Sequence, residues 1–222
     1  MKKFIVALGV VVALALASGS SQAAAVLTLR DLVTSTTVTV IDDGAGDVLN
    51  TTPGAITFAG SVGSNWWINV STGLTKPVSG SATAPSMDLN STDVSKGAGQ
   101  LEITLSDDGF LNPSLGEIGL SLYFGGTAIG DISYEAFVNA TSLDVLSFSN
   151  PSLPSTYAFS GTGYGSASAG SPYSLSQIVT ITHFGAGASS FDAALVPEPG
   201  TMVLLGSGLI GLAGWSRKKF RQ

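Results

Sequence analysis

His183 is the only histidine of the chain, and cysteine is absent, so nucleophilic and metal chemistry have few residues to draw on. A Ser-His-Asp hydrolase would have to use His183, and no G-x-S-x-G elbow supplies its serine. A single histidine near the end of a strand reads instead as structural, hydrogen-bonding a loop carbonyl. Zinc needs several His or Cys ligands, and the chain lacks them. The run Asp42-Asp43-Gly44-Ala45-Gly46-Asp47 offers carboxylates on a glycine-containing loop. Asp42, Asp43 and Asp47 are therefore candidate oxygen ligands for calcium, although the EF-hand spacing and its distal Glu are missing. An acidic hairpin turn accounts for the same residues, and Asp107-Asp108 is a second such turn. Trp66-Trp67 is the remaining feature. Alternation along a strand turns one of the two rings outward, where Trp67 could stack on a sugar. Alternatively, Trp67 packs beneath a loop or in a second small core. Nothing converges into a catalytic constellation, so the expectation is a protein without enzymatic activity and without a cofactor.

The elements that must carry these residues read as strands. Gln100 to Ser106 alternates cleanly, with Leu101, Ile103 and Leu105 on one side and Glu102, Thr104 and Ser106 on the other. Similar runs are Val26 to Arg30, Thr36 to Ile41, Ile56 to Ala59, Asn65 to Ser71, Ile118 to Phe124, Ile132 to Val138, Leu143 to Phe148, Ser174 to Phe184 and Phe191 to Leu195. In the fourth, Trp66, Ile68 and Val70 are expected on one face, with Trp67, Asn69 and Ser71 on the other. Turn signals separate the runs: Asp43-Gly44, Pro53-Gly54, Asp108-Gly109, Gly125-Gly126 and Gly185 to Gly187. Short strands with such turns predict an all-β fold, an antiparallel β-sandwich of jelly-roll type. Gly161 to Gly170 (GTGYGSASAG) reads as a flexible low-complexity loop. Val196 to Gly200 reads as an extended linker.

The two ends are of another kind. Lys2 and Lys3 precede an uncharged apolar run, Phe4 to Ala17, and then small residues. This is the pattern of a secretory signal peptide. Ala23 and Ala25 provide small residues at −3 and −1 for signal peptidase cleavage after Ala25, and cleavage after Ala23, with Ser21 at −3, is nearly as good. At the other end stand Pro197-Glu198-Pro199, an apolar run from Thr201 to Trp215, and the basic residues Arg217, Lys218, Lys219 and Arg221. As a helix the run is ~22 Å long at ~1.5 Å per residue, short of the ~30 Å hydrocarbon core. Its glycines at 206, 208, 211 and 214 let another helix approach closely. That suits a transmembrane helix docking into a membrane enzyme better than a permanent anchor. The basic tail orients it with the body outside the inner membrane.

Between the ends lies a body, 26–196, of one domain's size, flanked by the segments 1–25 and 197–222. It holds three basic residues, Arg30, Lys76 and Lys96, against fourteen carboxylates, a net of −11. Such a surface argues against nucleic acid and anionic lipid as partners. Fourteen carboxylates also guarantee some facing pair by chance, so a glycosidase pair carries no weight.

The tripartite C-terminus resembles the PEP-CTERM sorting signal of exported bacterial proteins. The resemblance implies that Pro197, Glu198 and Pro199 are recognised, and the chain cleaved near them, by an exosortase, a membrane-embedded enzyme of Gram-negative bacteria that make exopolysaccharide. It further implies transient anchoring in the inner membrane, then a place on the cell surface or outside the cell, with a structural or adhesive role in a biofilm or exopolysaccharide matrix. The stretch Tyr173 to Phe184, followed by Ser190-Phe191-Asp192, is similar to the last two strands of ectodomains that accompany this signal. It brings no activity with it. A carbohydrate-binding module for matrix polysaccharide is the alternative role.

Overall fold

A computed structural model describes residues 24–113, 116–150 and 155–198. Ala23, Pro199, the two apolar runs and the basic tail at Arg217, Lys218, Lys219 and Arg221 lie outside the described residues. Twelve strands make up the described fold: β1 (Val26–Asp31), β2 (Thr37–Ile41), β3 (Ala55–Val62), β4 (Trp66–Leu74), β5 (Met87–Ser95), β6 (Gly99–Phe110), β7 (Glu117–Ala128), β8 (Asp131–Val138), β9 (Thr141–Phe148), β10 (Tyr157–Ser168), β11 (Tyr173–His183) and β12 (Gly187–Pro197). They form two six-stranded sheets, ordered β2-β1-β6-β11-β8-β9 and β10-β7-β12-β5-β4-β3. Every ladder between these strands is antiparallel. The all-β sandwich expected from the alternation is present.

The inner faces meet in one apolar core. Leu27 and Leu29 of β1, Leu101, Ile103 and Leu105 of β6, and Leu175, Val179 and Ile181 of β11 are buried from the first sheet. Met87 and Leu89 of β5, Leu120, Leu122 and Phe124 of β7, and Phe191 and Leu195 of β12 are buried from the second. Each such side chain contributes ~1.5–3 kcal/mol by leaving water. In β11 every second residue, from Tyr173 to His183, is buried.

Four local features depart from the sequence expectation. β5 is absent from the predicted strands because its inward positions end in Ser91, Asp93 and Ser95, all buried. Its hydrophobic alternation therefore stops halfway. Gly161 to Ser168 is not a loop: it belongs to β10, which pairs with β7 from Tyr157↔Ala128 to Ser168↔Glu117. Glycine at 161, 163 and 165 lets β9 lie directly over β10. A Cβ at Gly161 would come within 2.7 Å of the Phe148 ring, one at Gly165 within 2.5 Å of the Leu143 carbonyl oxygen, and one at Gly163 would collide with the Asp144 carboxylate. β4 shifts register between Ile68 and Val70 against β5. The bulge places one extra residue in the strand, so Ser71 is buried rather than outward. Finally, β12 includes Val196 and Pro197, paired with Ser121 and Leu120, so the strand reaches into the expected linker.

Candidate functional site

The last paired residues of β12 are the first of the Pro-Glu-Pro triplet. Pro197 lies opposite Leu120 of β7. Proline brings no N–H to a ladder, which suits a strand terminus. Beyond it the Glu198 N–H donates to the Gly119 carbonyl oxygen at 3.3 Å. A Cβ at Gly119 would come within 2.7 Å of the Tyr164 hydroxyl and 3.3 Å of a Glu198 carboxylate oxygen, so this glycine makes the space in which the two side chains meet. Lost hydration, then the Glu198 charge and the hydrogen bond to it, raise the Tyr164 phenol above its ordinary range. The start of the triplet is thus presented at the C-terminal end of an interior strand.

His183 is held in the opposite manner. It ends β11 at 1% exposure, its ring 4.9 Å from that of Trp66. Nδ1 lies 2.7 Å from the Ser95 hydroxyl and Nε2 2.7 Å from the Ser189 hydroxyl. The Ser95 hydroxyl donates to the Gly185 carbonyl oxygen at 3.1 Å, which commits its one proton. Nδ1 therefore carries the imidazole proton and donates to Ser95, while Nε2 accepts from Ser189. The Ser189 oxygen in turn accepts the Ile129 N–H at 3.2 Å. Burial lowers the imidazole to about 4, which keeps it neutral. The sequence pointed to a bond with a loop carbonyl; the loop carbonyl, at Gly185, is instead one serine away.

The acidic loop after β2 is engaged with backbone donors. Asp47 accepts the Asp43 N–H at 3.2 Å and the Thr57 N–H at 3.3 Å, and Asp42 accepts the Gly54 N–H at 2.7 Å. Desolvation raises the Asp42 carboxyl, opposed by the Gly54 bond and reinforced by Asp43, Asp47 and Asp107. Among the described residues no group of three or more His, Asp or Glu is arranged to hold a metal ion. Asp42, Asp43 and Asp47 lie on an acidic turn whose Asp42 and Asp47 carboxylates accept N–H groups from the turn itself and from Gly54 and Thr57. Nearby, the buried ammonium of Lys76 pairs with Asp107 at 2.7 Å and lies 4.3 Å from the centre of the Phe110 ring.

Trp67 stands on the outer face of the second sheet. Trp66 is 1% exposed and Trp67 52% exposed, so the ring does not pack beneath a loop or in a second core. Its cross-strand neighbours are Ser61 and Val94. Further along the same sheet, Tyr123 is 42% exposed and borders a shallow hollow of about 380 Å³ floored by Gly125 and walled by Thr162 and Asp192. Asp192 also faces Asp88 of β5, and burial, with the Asp192 charge, raises the Asp88 carboxyl. Sequence reasoning missed this hollow because its floor is glycine and its walls come from three strands distant in the chain.

No curated protein matches the sequence. Among solved structures, the fold is similar to TmCBM61 in complex with beta-1,4-galactotriose, with 9% identity over 61% of this chain and 90% of that one and a TM-score of 0.34. It is also similar to the C-terminal CBM6 of LamC, a marine laminarinase from Zobellia galactanivorans, with 17% identity over 64% of this chain and 98% of that one and a TM-score of 0.28. Residues 195–218 match the model of the PEP-CTERM protein-sorting motif, and the chain therefore carries that motif, beginning within β12.

Proposed function

We propose that the protein is a non-enzymatic component of the cell surface or extracellular matrix, exported through its N-terminal signal peptide and cleaved by an exosortase at Pro197-Glu198-Pro199. The observation that carries this reading is the sorting motif at 195–218, joined without a spacer to the last strand of a β-sandwich. The motif implies export and surface sorting in a Gram-negative bacterium. The acidic, cysteine-free body suits a soluble module outside the cell, and His183 lacks both a carboxylate partner and access to solvent. The role is structural or adhesive within a biofilm or exopolysaccharide matrix. The apolar run 201–215 and the basic tail serve only until processing.

The test is the intact mass of the protein recovered from the cell surface and the medium. A mass ending near Pro197 to Pro199 supports the reading. A mass retaining Arg217 to Gln222 overturns it, as does an unchanged size and location when Pro197, Glu198 and Pro199 are all replaced by alanine.

One observation favours a second role, as a binding module for matrix polysaccharide: Trp67 and Tyr123 are large aromatic rings left exposed on one sheet face. Exposed rings stack on sugars through their apolar faces. If this role holds, Trp67→Ala and Tyr123→Ala lower retention on the purified polysaccharide while the thermal unfolding midpoint stays put. Equal retention removes both residues from consideration.

A further inference from the structure

The small residues before the body allow signal peptidase to cut after Ala23 or after Ala25, because both sites satisfy the −3 and −1 requirement. The fold distinguishes them. Ala25 is 2% exposed and belongs to the apolar core. Its carbonyl oxygen accepts the Asp42 N–H at 2.9 Å. A cut after Ala25 removes a buried methyl group and leaves that N–H without its acceptor. It also places the new charged terminus at Val26, which is paired with Ile41 on one side and Ser106 on the other. A cut after Ala23 keeps all of these contacts and ends the chain at Ala24, which is exposed.

Ala24 also lies in a place suited to a chain terminus. It lines a hollow of about 270 Å³ together with Asp42, Asp43, Lys76 and Asp107. One carboxylate oxygen of Asp42 accepts the Gly54 N–H, while the other, Oδ1, is buried and has no hydrogen-bond partner. The one cation lining the hollow, Lys76, is already spent on Asp107, on the Asp108 carbonyl oxygen and on the Phe110 ring. The hollow therefore has three carboxylates, one committed ammonium and an acceptor without a donor. A buried acceptor of this kind is costly unless it is paired.

We propose that signal peptidase cleaves between Ala23 and Ala24, and that the α-ammonium so created occupies this hollow and pairs with Asp42. The inference rests on the export reading above. The step is a hydrolysis: the Ala23–Ala24 peptide bond breaks, a water molecule gives its hydroxyl to the Ala23 carbonyl carbon, and its proton goes to the Ala24 nitrogen. That amine takes up one more proton from solvent and becomes a cation with three donors. Processing and folding are thereby linked, because the group made by the cut completes the polar contacts of the domain it releases.

The experiment is N-terminal sequencing and intact mass of the protein exported from its full-length gene in a Gram-negative host. A first residue of Ala24 is expected. A first residue of Val26 overturns the proposal and leaves the export reading standing. A chain that retains Met1 overturns both. The pairing is read separately, by titrating the α-amino group of the mature protein after isotopic reductive methylation. In the wild type this group should titrate at least about one pH unit above its ordinary ~7.7–8.0, and in Asp42→Asn close to it. Asp43→Asn, whose side chain is exposed, should stay near the wild type. Identical titrations for wild type and Asp42→Asn overturn the pairing. If Asp42→Asn does not fold, the wild-type titration decides alone: an ordinary value refutes the pairing.

Discussion

Replacing Asp93 with asparagine should change how stability depends on pH. Asp93 points into the core from β5 at 0% exposure. It accepts the Ser91 hydroxyl at 2.7 Å, and its other oxygen has no partner. Burial raises its carboxyl from the ordinary 3.8 to about 7, against the smaller opposing effect of the Ser91 bond. Between these values the folded protein holds a proton that the unfolded chain has released. Stability therefore falls as pH rises, by ~1.4 kcal/mol per pH unit and by about 4 kcal/mol across the window. His183 acts with the opposite sign. Its imidazole is lowered from 6.5 to about 4, so between pH ~4 and ~6.5 the unfolded chain binds the extra proton and stability rises with pH. In the wild type the two slopes offset each other over most of this range. Asparagine keeps an acceptor for Ser91 but cannot ionise. The assay is urea unfolding of wild type and Asp93→Asn at half-unit steps from pH 4.5 to 7.5. The difference between the two should grow steadily in favour of the variant as pH rises. A difference that is the same at pH 4.5 and 7.5 would falsify the assignment of a protonated, buried Asp93.

Lys76→Ala should cost ~3–5 kcal/mol in chemical denaturation, because it leaves the buried Asp107 carboxylate without its cation. Adding Asp107→Asn should recover part of that loss, and no recovery would mean that the packing of the Lys76 stem, not the charge, is what matters. Gly163→Val should destabilise by ~1–3 kcal/mol or more through overpacking of β9 against β10. Gly170→Ala, which meets nothing within 4 Å, should leave the unfolding midpoint in place. Ser189→Ala leaves the His183 Nε2 and the Ile129 N–H unpaired. It should lose ~1–3 kcal/mol for each orphaned group, again read by denaturation.

How much of this was legible in the sequence depends on what filled the inward positions. β1, β6, β8 and β11 carry aliphatic or aromatic residues inward along most of their length, so alternation finds them. In β5 the inward residues Ser91, Asp93 and Ser95 take part in a polar layer that includes Ser189 and His183. That layer exists only after strands far apart in the chain have met. In β10 the inward glycines answer to β9, another long-range neighbour. The bulge at Asn69 is equally silent, because a single extra residue leaves no compositional trace. The sorting motif was legible for the converse reason, since its three parts are contiguous. The exposure of Trp67 followed from alternation, but what lies beside it on the sheet did not.

β12 has a mechanical consequence. It lies inside its sheet, held by β5 along Gly187–Leu195 and by β7 along Ser190–Pro197. A force applied through the chain beyond Glu198 pulls along the axis of a strand clamped on both sides. Hydrogen bonds perpendicular to the strand are then loaded in shear, many at once, whereas an edge strand peeled from its end would give them up one by one. β1 is likewise flanked, by β2 and β6, in the opposite sheet. Both ends of the described body therefore resist tension through interior strands.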